Sequence, residues 1–128
     1  MRGEIVAIGD ELTSGVRLDT NSQWIAQQLG DLGVDVLYHT AVGDDLLPMT
    51  RALETAAQRT DVVVCTGGLG PTADDLTRDA LASCAGVELA QDDGVLEHIR
   101  SLYARRKRDM PGSCIIPNQH GTASGIDL

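Results

Sequence analysis

The chain contains no phenylalanine, one tryptophan (Trp24) and two tyrosines (Tyr38, Tyr103). Aromatic side chains therefore cannot build its core, and that role falls to Val, Leu, Ile and Ala. Long apolar runs are lacking as well. Every such run falls far short of the roughly 18 residues needed to cross a bilayer, which excludes a transmembrane protein. Met1-Arg2-Gly3-Glu4 places an acid directly before a short apolar run, which does not read as a secretory signal. Cysteine is scarce: Cys65, Cys84 and Cys114 are odd in number and have no metal-type spacing. They fit small buried thiols in a reducing compartment, so a cytoplasmic protein is expected. Basic residues are few. Ten Lys and Arg stand against nineteen Asp and Glu, a net charge of −9. Such a surface repels phosphate backbones and anionic lipid, so neither nucleic acid nor a membrane is an expected partner. Any anion must be held locally, by backbone amides, helix ends or a metal.

What is present is one domain's length of chain, 128 residues, with strand and helix patterns in alternation. Glu4 to Gly9 is short, β-branched and closed by glycine, and reads as a buried strand. Asp10 to Thr20 reads as a loop. Trp24, Ile25, Leu29 and Leu32 then recur at helical spacing, with Thr20 or Asn21 as the cap and Gly33 as the stop. Val34 to Val42 reads as a second strand. Asp44 or Asp45 opens a helix through Leu47, Leu53, Ala56 and Ala57, with Pro48 in its first turn. Asp61 to Thr66 is the strongest strand pattern, and its unbroken valines predict burial on both faces. A glycine-rich loop, Gly67 to Asp75, precedes a helix ended by Gly86, and a last helix runs over roughly 92–108. This order predicts a doubly wound parallel sheet. Ligands in such sheets sit outside the carboxyl ends of the strands. The tail from Met110 differs: Ile115-Ile116 allows a short strand, and Pro117 to Gly125 reads as loop.

Three strand tips therefore carry the chemistry. Thr66-Gly67-Gly68-Leu69-Gly70-Pro71-Thr72 joins a strand to a helix, a place where backbone amides and the helix dipole suit phosphate. It is neither a dinucleotide fingerprint nor a P-loop, since Ala73 fits the former only marginally and no Gly-Lys-Ser/Thr follows. A plain tight turn is the alternative. Asp74, Asp75 and Asp79 follow this loop, and Asp10-Glu11 and Asp44-Asp45 end the other strands. Together these acids could hold a divalent metal on a pyrophosphate. Alternatively, Asp75 pairs with Thr72 three residues earlier as a cap. His39 and His98 read as structural and His120 is open. Arg105-Arg106-Lys107-Arg108 reads as a solvated helix end, or as a phosphate-facing lid or subunit contact. No Ser or Cys is arranged with His as a nucleophile.

Glu4 to Gly15, Thr20-Asn21 before a helix, Ala41 to Asp44 and Thr66 to Asp79 resemble the N-terminal domain of the CinA family, within the molybdopterin-binding fold shared with MogA and MoaB. The resemblance covers residues 4–90 well, and the Gly-Gly-Leu-Gly-Pro-Thr-x-Asp-Asp run is specific to that branch. Ile116-Pro117-Asn118 and Gly121 to Gly125 resemble the branch's later loop. The resemblance implies a three-layer α/β/α sandwich assembled as a dimer or trimer. It implies a metal-dependent ADP-ribose pyrophosphatase, served by Mg²⁺, Mn²⁺ or Co²⁺. The MogA branch implies instead a molybdopterin-binding or adenylylating module, and a non-catalytic nucleotide or pterin binder is a further reading. By the resemblance, Asp75 is the catalytic carboxylate and Asp44 the second, with Asp44, Asp75 and Asp74 as metal ligands. Thr66, Gly67, Gly68, Gly70 and Thr72 fall on the phosphate turn, and Asn118 and Thr122 on the later ligand loop. Three departures stand out. The stretch between Met110 and Ile115 is short, His120 and Ser124 replace the usual residues, and the chain stops before the family's last strands. The domain is therefore expected to be incomplete at its C-terminus, and no residue belongs to the family's amidase domain.

Overall fold

The structure, a computed structural model, describes residues 1–70 and 72–109. Three parallel strands, β1 (Arg2–Ile8), β2 (Asp35–Val42) and β3 (Val62–Thr66), form a sheet in the order β2-β1-β3. The register runs from Arg2 opposite Asp35 to Ile8 opposite Val42, and from Gly3 opposite Val62 to Ala7 opposite Thr66. β1 therefore lies at the centre, and Gly3 through Ile8 are all buried. Full burial of Ile5, Val6 and Ile8 contributes about 1.5–3 kcal/mol each, so this strand anchors the fold.

Helices α2 (Thr20–Asp31) and α3 (Leu46–Arg59) carry the crossovers. One connection leads from β1 to β2, and the next passes back over β1 to β3. Right-handed crossovers in opposite directions place α2 and α3 on opposite faces. Val6 and Ile8 pack toward α3 with Val42, Met49, Leu53 and Ala56, and Ala80 of α4 (Thr77–Ala85) completes this cluster. Helices α1 (Asp10–Thr13) and α5 (Asp93–Arg105) complete the described elements. No described helix is long and apolar enough to cross a membrane.

Several sequence expectations are corrected here. The segment after β1 is not all loop, since Asp10–Thr13 forms one helical turn, α1. The cap of α2 is Asp19, whose carboxylate accepts from the Ser22 N–H at 2.9 Å, and Thr20 and Asn21 lie inside the helix. Trp24 and Leu32, placed on its apolar face by spacing, are 61% and 79% exposed. The valine run of β3 is half-buried throughout, because among the described residues it borders only β1; the doubly covered strand is β1. Met49 joins the aliphatic core. The remaining stops agree with expectation. Gly33 adopts φ +80° after α2 and Gly86 φ +68° after α4, the left-handed values that favour glycine. Asp45 caps α3 and Asp92 caps α5, which ends at Arg105 rather than near Arg108.

Candidate functional site

Between the carboxyl ends of β1 and β3 the two chain connections leave in opposite directions, the switch point at which open α/β sheets bind ligands. A cavity of about 210 Å³ opens there. Its floor is Ile8, Thr66 and Gly67, one wall is Glu11 and Leu12 of α1, and the other is the Arg17–Asn21 segment leading into α2. Thr66 and Gly67 were expected here. Arg17, which brings a cation into an acidic domain, was not singled out in the sequence. The signal was a lone basic residue between a strand tip and the next helix.

The Thr66–Gly70 turn is shaped by α4. Gly67 has φ +91° and a Cβ there would collide with the Ile8 carbonyl oxygen. Gly68 has φ +61° and a Cβ would collide with the Thr77 hydroxyl. The Thr77 hydroxyl donates to the Gly67 carbonyl at 2.7 Å, and the Thr77 N–H donates to the Gly68 carbonyl at 3.3 Å. A planar trans peptide turns its N–H away from its own carbonyl. The N–H groups of Gly68 and Leu69 therefore point away from Thr77, and the Gly68 N–H is so disposed that it suits an anion. The glycines thus have two functions, close packing on the chain itself and orientation of amides.

The acids are individually engaged. The Asp44 carboxylate accepts from the Asp10 N–H at 3.0 Å, and the Asp10 carboxylate accepts from the Asp44 N–H at 3.0 Å. The two tips of β1 and β2 are locked by this exchange, and a Cβ on Gly43 would lie 2.6 Å from Asp10 Oδ1. Asp75 Oδ2 accepts from the Thr72 hydroxyl at 2.5 Å and from the Thr72 N–H at 2.9 Å. The expected Thr72–Asp75 pairing exists, but it closes a turn ahead of α4, which begins at Thr77 with no side-chain cap. The Thr72 hydroxyl holds the Asp75 carboxyl below the usual carboxylate range, with the Thr72 and Gly70 amides and the Arg78 charge acting in the same direction. Asp75 is thus a stably ionised carboxylate beside the turn. Asp74 is exposed.

Asp44 and Asp75 follow strands on either side of β1, and strands two places apart stand about 10 Å from each other. Among the described residues no three His, Cys, Asp or Glu gather as a metal cage. His39 and His98 are exposed on β2 and α5, away from the cavity lining. Asn118, Thr122, His120, Cys114 and the Ile115-Ile116 strand lie outside the described residues. A second residue that spacing did not reveal is Arg78, only 6% exposed, whose Nη2 donates to the Gly70 carbonyl at 3.0 Å.

Comparison with known proteins gives a consistent result. The family described as "Probable molybdopterin binding domain" matches residues 4–127. A CinA-like protein from Frankia casuarinae is 42% identical over 148 residues, covering all of this chain and 33% of its own length. A protein from Caldicellulosiruptor bescii that carries the name competence-damage inducible protein is 40% identical, covering 98% of this chain and 33% of its own length. The chain thus spans about a third of the curated relatives it matches. The crystal structure of the protein CinA with unknown function from Thermoplasma acidophilum superposes with a TM-score of 0.79 at 30% identity, covering 89% of this chain and 66% of that one. The tungsten cofactor synthesizing protein MoaB from Pyrococcus furiosus gives 0.60 at 25% identity, covering 82% and 63%.

Proposed function

From the premise that this chain belongs to the family of probable molybdopterin binding domains, we propose that it binds the phosphates of a nucleotide at the Thr66–Gly70 turn and hydrolyses an ADP-ribose-like pyrophosphate. The observation that carries this reading is the cavity at the switch point, floored by the first two residues of that turn. At about 210 Å³ it is smaller than the roughly 300–1,000 Å³ of pockets that enclose a whole ligand. It suits one sugar-phosphate moiety, with the rest of the nucleotide reaching outward. The outward Gly68 N–H would hold charge developing on a phosphoryl oxygen. Arg17 would face the anion from the opposite wall.

A divalent metal fits this site only in part. Asp75 is ionised and has one oxygen outside its bonds to Thr72, so it can serve as a protein anchor. Without a closed cage among the described residues, Mg²⁺, Mn²⁺ or Co²⁺ would take most of its ligands from phosphate oxygens and water, the usual habit of Mg²⁺. Asp74 is the proposed neighbouring ligand, and Asp44, across β1 and bonded to the Asp10 N–H, would reach such a metal only through water or a phosphate oxygen. Bound there, the metal would polarise the phosphoryl group and lower the pKa of its water. The test is ADP-ribose hydrolysis with each metal and with EDTA. Metal-dependent turnover that Asp75→Asn abolishes, with the circular dichroism spectrum unchanged, is the expected result. Equal rates in EDTA would refute it.

A second reading rests on the family description and on the likeness to MoaB. In it the same turn holds the phosphate of a molybdopterin, with or without adenylylation. Calorimetric pterin binding without nucleotide turnover would favour that reading.

A further inference from the structure

Arg78 occupies the second position of α4, and its side chain is 94% removed from solvent. A buried guanidinium normally has a carboxylate partner, because an uncompensated charge is costly in a low-dielectric interior. Arg78 takes part in none of the ion pairs among the described residues. Its Nη2 donates to the Gly70 carbonyl, and its buried Nε has no hydrogen-bond partner among the described residues. Its position is specific. The first turn of α4 draws in three carbonyls of the glycine turn: Thr77 takes those of Gly67 and Gly68, and Arg78 takes that of Gly70. The hold of Thr77 on the Gly67 and Gly68 carbonyls turns the N–H groups that follow them away from α4. The Gly70 carbonyl held by Arg78 precedes Pro71, which has no N–H, so Arg78 fixes the end of the turn rather than aiming an amide. The site thus combines a nine-residue helix start, a glycine turn shaped for an anion, and a buried cation with a spare donor.

We propose that Arg78 is the positioning residue of the phosphate turn: it holds the Gly70 carbonyl and supplies a positive charge that is in ion-pair contact with no carboxylate among the described residues, and that an incoming pyrophosphate neutralises. In a domain of net charge −9 this gives the turn a local field opposite to that of the surface. That charge acts on its carboxylate neighbour, Asp75, which is held by Thr72 rather than by Arg78. The inference rests on the reading that the turn takes phosphate, and the experiment separates the two.

Inorganic pyrophosphate is titrated calorimetrically into the wild-type chain, Arg78→Met and Arg78→Lys at several salt concentrations, with thermal melts run in parallel. Wild type is expected to bind, with affinity falling as salt rises. Arg78→Met is expected to bind at least about tenfold more weakly, the size of a charge-assisted contact. Arg78→Lys, which keeps the charge and loses the planar fork, recovers part of that loss. No binding by wild type would remove both the reading and the inference. A folded Arg78→Met that binds like wild type, or Arg78→Lys no better than Arg78→Met, would overturn the inference alone. If Arg78→Met does not fold, the ¹⁵N signal of the wild-type Arg78 Nε–H decides. That signal, identified by its loss in Arg78→Lys, is expected to move on adding pyrophosphate, and an unmoved signal at saturation would overturn the proposal.

Discussion

Glu4 has no solvent exposure, and its carboxylate receives the Arg59 guanidinium at 2.6 and 2.8 Å and the Thr40 hydroxyl at 2.6 Å. The Arg59 guanidinium in turn lies 3.8 Å over the Tyr38 ring. One side chain thus joins β1, β2 and α3. Glu4→Gln replaces a charge-assisted pair by a neutral one, and because Arg59 is partly solvated the loss should be about 2 kcal/mol. Urea denaturation measures it. The Arg59 hydrogen bond holds the Glu4 carboxyl below its ordinary value. A depressed carboxyl stabilises the fold above its unfolded pKa of about 4.3, and that contribution is lost as pH falls through the lower folded value. Denaturation across that acidic range should therefore be less pH-dependent in Glu4→Gln than in wild type. Asp75 follows the same sign. Its depressed pKa places the acidic limb of any activity that needs its charge below the usual carboxylate range. A pH–rate profile with a limb near 6 would assign that limb to another group. Burial raises the Cys65 thiol to about 11, so it should resist alkylation at neutral pH until the chain unfolds.

The elements differ in how tightly their ends are specified. Gly86 and Gly67 both have positive φ, but a side chain at Gly86 meets open space whereas one at Gly67 meets the Ile8 backbone. Gly86→Ala should cost about 1 kcal/mol. Gly67→Ala should cost several times that and should also abolish pyrophosphate binding, since β1 and β3 must part at their tips. Melting curves of the two variants give the comparison. Element order was legible in the sequence because β-branched runs and helical spacing alternate with glycine stops, and Gly33 and Gly86 stop the helices where expected. The turn Thr66–Gly70 was legible for the same reason. The cap of α2 was read one or two residues late, at Thr20 or Asn21 instead of Asp19, because three adjacent capping types compete there. Trp24 and Leu32 misled because spacing defines a stripe but not whether anything covers it. Arg17, Arg78 and the Glu4–Arg59 pair were not legible. The Glu4–Arg59 pair joins segments distant in the chain, Arg78 bonds a backbone carbonyl and Arg17 counts through its place in the cavity lining, none of which leaves a periodicity.

For the molecule as a whole, the charge of −9 opposes compaction. Raising ionic strength from low to physiological values should raise the melting temperature while weakening pyrophosphate binding, opposite signs from one variable. Scanning calorimetry and titration in the same buffers would show it. The parallel order β2-β1-β3 has a further consequence. Arg2 pairs with Asp35 and Gly3 with Val62, so the strand synthesised first is the last to gain both its neighbours. On a ribosome, the most deeply buried strand of the fold must wait until Thr66 has left the exit tunnel before its sheet can close. Until then it is a natural client for a holding chaperone.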